Sequence, residues 1–256
     1  MPLLEIPPQY NRSAESLRDP TSAEASALFL IHYACEKLRL ADLAEKEVLD
    51  VGCGTKFTHA FVNHNIPVRR YVGVDVYADM IDFLQTNVAD PRFEYHHINV
   101  RNELYNPDGQ AMTADTDFGV EGGRTFDIIW LFSVFTHLAP HDYSVMLKLL
   151  RRYVRPDGRL LYTVFINELT DGGHGFADKM HRAVRSREVR DAASGPRDER
   201  LRHVQPFVDV YPEHPLRCAL YSRGYAFELI QDTGWRPLEL LPPNEFAQHQ
   251  FICAPV

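Results

Sequence analysis

Two glycines and one carboxylate carry the clearest chemistry in this chain. The run Val48-Leu49-Asp50-Val51-Gly52-Cys53-Gly54-Thr55 reads as a buried strand ending in a glycine turn, and Val72-Gly73-Val74-Asp75 reads as a second strand ending on an acid. Gly52 and Gly54 lack a Cβ, so the backbone there can bend sharply and approach a ligand closely. Asp75 can accept hydrogen bonds from both hydroxyls of a ribose. A turn and an acid in this order suit an open α/β sheet that holds a nucleoside. Proton acceptors are scarcer. His137 follows the apolar run Phe126–Phe132 and is a candidate base; packing at a helix start with a bond to backbone is its plainer role. Glu168 follows the apolar run ending at Ile166 and is a candidate for holding an acceptor, with a solvated loop carboxylate as the plainer role.

Strands and helices alternate around these residues. Leu28, Ile31, Cys35 and Leu38 recur at helical spacing and predict a helix over 23–38, preceded by a proline-rich arm with Tyr10 and Arg12 as possible ligand contacts. Strands are predicted at 47–51, 70–75, 93–100, 126–132 and 159–166, and helices at 58–65, 78–87 and 141–154, with Pro156-Asp157-Gly158 as a turn. That order predicts a mostly parallel sheet with right-handed crossovers. A helix over 224–233 stops at Gly234, and strands at 235–241 and 248–254 are joined too closely for a crossover, so they pair antiparallel. The tract from 168 breaks the rhythm. Its arginines between 182 and 202 either bind an acidic acceptor or form a solvated face neutralised by Glu188, Asp191, Asp198 and Glu199.

With 45% hydrophobic and 24% charged residues, the chain has ordinary globular composition and can fill a core, and 256 residues suit one elaborated α/β domain. A formal charge of -8 disfavours a nucleic-acid partner. The four cysteines have neither zinc-ligand nor thioredoxin spacing, and no apolar run reaches the roughly 18 residues of a membrane span. A soluble cytoplasmic protein without a metal is the expectation.

The turn at 50–55, Asp75, the stretch Phe126-Asp127-Ile128-Ile129 leading to Ser133-Val134-Phe135-Thr136-His137-Leu138, and Arg155-Pro156-Asp157-Gly158 resemble the class I S-adenosylmethionine-dependent methyltransferases. The resemblance spans about 45–167 and resumes at 217–256. It implies a Rossmann-like, seven-stranded, mostly parallel α/β sheet with the last strand antiparallel, helices on both faces and an insertion after the fifth strand. It divides the chain into an N-terminal arm and helix (1–44) that could cap the cofactor or substrate, a core (45–167 and 217–256), and an insertion (168–216) placed as a lid over the acceptor.

By position, the resemblance puts Asp50, Gly52 and Gly54 along the methionine moiety of S-adenosylmethionine and Asp75 on the ribose. It puts Val76, Tyr77, Asn99 and Val100 around the adenine, and Leu131, Phe132 and Ser133 facing the sulfonium. One departure is visible: Lys56-Phe57 stands where the family often has another small residue. The implied activity is methyl transfer to an oxygen or nitrogen of a small molecule or sugar-like metabolite. Two other classes remain: a non-catalytic S-adenosylmethionine-binding or scaffold protein, and a nicotinamide-dependent oxidoreductase, which should carry a third glycine where Phe57 stands.

Overall fold

The computed structural model describes residues 3–11, 20–103, 105–167, 205–211, 214–243 and 248–256. Its chain divides into two compact units, Met1–Phe132 with Arg152–Arg159, and Ser133–Arg151 with Leu160–Val256.

The first unit is built on four parallel strands: β1 (Leu43–Val51), β2 (Val68–Asp75), β3 (Phe93–His97) and β4 (Phe126–Leu131). They lie in the order β3-β2-β1-β4, with Asp50 opposite Gly73 on one side and Trp130 on the other. Val48 to Val51 are all buried, as expected for a central strand whose apolar run does not alternate. The helices α1 (Pro20–Lys37), α2 (Lys56–Asn63) and α3 (Ala78–Asn87) belong to this unit. Phe57, Ala60 and Phe61 form the buried stripe of α2, and Phe61 packs its ring against Tyr71 and Phe93. The N-terminal arm is tied down locally: the Leu4 N–H donates to Asn63 Oδ1 and the Asn63 amide returns a bond to the Leu4 carbonyl.

The second unit contains α4 (Pro140–Leu150), most of β5 (Val154–Ile166), β6 (Phe207–Asp209), β7 (Ala219–Tyr221), α5 (Arg223–Glu228), β8 (Trp235–Leu241) and β9 (His249–Pro255). β5 runs parallel to β7 and antiparallel to β9, and β9 is antiparallel to β8. The predicted antiparallel end of a mostly parallel α/β sheet is therefore present. Buried rings of Phe135, Tyr143, Tyr162, Tyr221 and Phe251 form its centre.

Several boundaries differ from expectation. β5 starts at Val154, so Pro156-Asp157-Gly158 lies within a strand, and α4 stops at Leu150 instead of reaching Val154. The last helix ends at Glu228, not at 233. Asp232 and Gly234 both take positive φ, 58° and 82°, which no continuing helix allows. β6 and β7 are two short strands beyond the seven expected. Glu168 and the arginine-rich tract fall outside the described residues. No helix among those described is long and apolar enough to cross a membrane.

Candidate functional site

The glycine turn and the strand-two acid are bonded to each other. Gly52 and Gly54 take φ of 74° and 52°, the left-handed region that β-carbons disfavour. The amides of Gly52 and Cys53 both donate to the Val74 carbonyl, at 2.8 and 3.2 Å, which binds the turn to the end of β2. The Asp75 carboxylate completes the junction. Its Oδ2 accepts the Gly54 N–H at 3.0 Å and its Oδ1 accepts the Tyr77 N–H at 3.1 Å, and the residue is 1% exposed. Gly73 makes the close approach possible, because a β-carbon there would meet Cys53 Sγ and the Tyr95 ring at 2.9 Å.

Asp50 sits beneath the turn, at the end of β1. Tyr71 donates its hydroxyl to Asp50 Oδ2 at 2.5 Å. Burial pushes the Asp50 carboxyl up to about 7, against the opposing pull of the Tyr71 hydroxyl, the nearby Trp130 indole and the Lys56 cation. The Trp130 N–H lies near this carboxyl without hydrogen-bond geometry and has no other partner among the described residues. Lys56 responds in the complementary sense: burial draws its ammonium down to about 8, while the Asp50 charge resists. Asp50, expected along the methionine moiety, is 1% exposed and bonded to Tyr71. Tyr71 itself was missed. Its position on β2, across from Val48 in register, carries no local pattern that marks a carboxylate's donor.

The remaining positions around the turn are distributed as follows. Val76 and Tyr77 are partly buried, and Tyr77 packs edge-on against Tyr10 at 5.8 Å. Tyr10 also meets Phe83 at 5.3 Å, so three aromatic rings gather beside the tip of β2. Asn99 is exposed; its Oδ1 accepts from the Asn106 amide at 3.1 Å, and its backbone carbonyl accepts from Gln110. Val100 pairs with Gln110 in an isolated bridge. Leu131 is fully buried, and the Phe132 ring lies tilted against Phe57 at 5.1 Å.

In the second unit, Ser133 takes φ of 61°, a left-handed backbone on a non-glycine residue. Its N–H donates to Thr163 Oγ1 at 2.7 Å, and its hydroxyl bonds the Gln248 side chain. His137 closes a single 3-10 turn, and its Nδ1 lies 3.1 Å from the Leu216 carbonyl. A carbonyl only accepts, so Nδ1 is the donor there and Nε2 is the basic nitrogen of the neutral ring. Asn167 follows β5 at 3% exposed. Its N–H donates to the Tyr221 carbonyl, and its side-chain amide nitrogen has no partner among the described residues. Glu168, the other candidate named above, lies outside the described residues. Those residues hold no cluster of three His, Cys, Asp or Glu side chains suited to a metal.

A family described as a methyltransferase domain matches residues 28–237. Among solved structures, a protein of Pyrococcus horikoshii OT3 aligns with TM-score 0.55 at 12% identity, over 95% of this chain and 100% of the other. Magnesium protoporphyrin IX methyltransferase from Synechocystis PCC 6803, with bound S-adenosylhomocysteine, aligns with TM-score 0.53 at 11% identity, over 96% and 90%. The 1,6-didemethyltoxoflavin-N1-methyltransferase of Burkholderia thailandensis, with its acceptor and S-adenosylhomocysteine bound, aligns with TM-score 0.50 at 15% identity, over 94% and 81%. At these identities the likeness is one of fold.

Proposed function

The chain belongs to the methyltransferase-domain family, and we propose that it transfers the methyl group of S-adenosylmethionine to an oxygen or nitrogen of a small molecule or sugar-like metabolite. The observation that carries this reading is the Asp75 carboxylate bonded to the Gly54 amide, an acid and a positive-φ turn locked together at the tips of adjacent strands. The chemistry of this set suits the donor. A carboxylate serves vicinal hydroxyls, and a backbone turn without β-carbons admits the chain that leads to the sulfur.

Bound S-adenosylmethionine supplies an electrophilic methyl group on a sulfonium. This chain's residues bind and orient. Asp75 takes the ribose, Val76, Tyr77, Asn99 and Val100 border the adenine, and Leu131, Phe132 and Ser133 border the reacting carbon. Methyl transfer is an in-line displacement, so holding the acceptor in line supplies much of the rate. Where the acceptor carries a proton, His137 is the proposed base through Nε2, since its Nδ1–H is committed to the Leu216 carbonyl. Glu168 and the 168–216 segment are proposed to hold the acceptor. Small-molecule acceptors are supported by two methyltransferases of similar fold, one named for magnesium protoporphyrin IX and one with bound 1,6-didemethyltoxoflavin.

Calorimetry with S-adenosylmethionine and S-adenosylhomocysteine tests the donor, and release of S-adenosylhomocysteine in the presence of metabolite extracts tests the transfer. Saturable binding with extract-dependent product release is expected. No heat with either compound overturns the donor, and tight binding without turnover across broad extracts favours a non-catalytic binding protein.

A further inference from the structure

Lys56 is the residue at which this chain departs from the small side chains expected after such a turn. It opens α2, immediately beyond Thr55. Its ammonium lies 3.4 Å from Ser26 Oγ on α1 and 5.5 Å from the centroid of the Phe57 ring. Among the described residues it forms no ion pair, although Asp50 acts on it at longer range. A cation in this place is disfavoured twice: burial strips its water, and the positive end of the α2 dipole repels it. Burial accordingly draws its pKa down to about 8. A hydroxyl and an aromatic face offset only part of that desolvation. A half-buried cation that forms no ion pair among the described residues, beside a turn built for close backbone approach, has the chemistry of an anion subsite.

We propose that Lys56 Nζ receives the α-carboxylate at the amino-acid end of the methyl donor, with Ser26 Oγ holding the ammonium in position. The proposal rests on the donor reading above, in which the turn lines that end of the cofactor. Lys56 is then a specificity residue for donors that carry the amino-acid group, and has no part in binding the nucleoside.

The test compares S-adenosylhomocysteine with 5′-methylthioadenosine, which keeps the nucleoside and lacks the amino acid. Both are titrated by calorimetry into the parent, Lys56→Met and Lys56→Arg. Lys56→Met removes the charge while retaining an unbranched apolar stem, and thermal melting checks its fold. The expected result is at least tenfold weaker S-adenosylhomocysteine binding in Lys56→Met, 5′-methylthioadenosine binding within twofold of the parent, and substantial recovery in Lys56→Arg. Unchanged S-adenosylhomocysteine affinity in Lys56→Met overturns the inference and leaves the donor reading standing. A parallel loss of both ligands in Lys56→Met overturns it as well, since the residue would then be structural. A parent that binds neither compound overturns the donor reading and the inference with it.

Discussion

The two units bury polar side chains in opposite ways. In the first, ionisable groups crowd the turn: Asp50 and Asp75 are each 1% exposed, and Lys56 is half-buried beside them. Each has some partners, yet burial still pushes Asp50 up and Lys56 down, so the local structure does not neutralise its own charges. In the second unit the buried phenols bond one another or the backbone. Tyr143 and Tyr162 share a 2.7 Å bond, and Tyr221 donates to the Leu138 carbonyl at 2.5 Å. Burial raises all three phenols well above their ordinary range, so they stay protonated and serve packing. Incomplete charge compensation marks a place prepared for a ligand, while a closed network of neutral donors marks a core.

A matched pair of substitutions sharpens this contrast most. Tyr71→Phe removes a donor from a buried carboxylate and is expected to destabilise by about 1.5–3 kcal/mol, the range for hydrogen bonds to charged groups. Tyr162→Phe removes a neutral hydroxyl bond and is expected to destabilise by about 0.5–1.5 kcal/mol. Urea unfolding at pH 8, where Asp50 is ionised in larger part, measures both. Equal losses would erase the distinction between the units.

The next effect is on binding. Asp75→Ala is expected to weaken S-adenosylhomocysteine by about 1–3 kcal/mol, roughly 5- to 150-fold, through loss of the ribose acceptor. An unchanged dissociation constant would remove Asp75 from the ligand and leave it a structural role at the Gly54 and Tyr77 amides.

Asp50 supplies a pH-dependent version of the comparison. Its carboxyl moves from 3.8 to about 7 on folding, so the folded protein keeps a proton that the unfolded chain releases between those values. Stability contributed by that proton is present below about pH 4 and is lost as pH rises towards 7. Asp50→Asn cannot titrate. Its stability relative to the parent is therefore expected to rise from pH 4 to 7, while distant carboxylates cancel in the difference. A flat difference across that window would mean that Asp50 is better solvated than its burial implies.

The same contrast explains what could be read from the residues alone. The first unit was legible because its signals are local: the apolar run 48–51, the glycines after it and the acid ending β2 each sit within a few residues of what they shape. The second was legible where apolar runs were long, as in β5 and β9. It was not where three-residue strands such as Phe207–Asp209 take their identity from a partner. Pro156 and Gly158 read as a turn, yet β5 passes through them, held at Arg155 by Asp127 at 2.6 Å and Glu47 at 3.3 Å. Those ion pairs join residues remote in sequence, and no local pattern announces them. The Asp50–Tyr71 bond is of the same kind.

Asn167 departs from those paired phenols and carries the smallest predicted effect. It follows β5 with its amide nitrogen buried and, among the described residues, unpartnered. A buried donor left unpaired costs about 1–3 kcal/mol, so deleting it returns much of what the lost packing removes. Asn167→Ala is therefore expected to change the unfolding free energy by less than about 1 kcal/mol. An amide kept at such a cost at the carboxyl end of a parallel strand, where open α/β sheets place their ligands, has the position of an acceptor-binding donor. Donor affinity in Asn167→Ala should then match the parent while kcat/KM for the acceptor falls. A stability loss beyond about 2 kcal/mol would instead show that the amide is bonded in solution and that Asn167 serves packing like the neighbouring phenols.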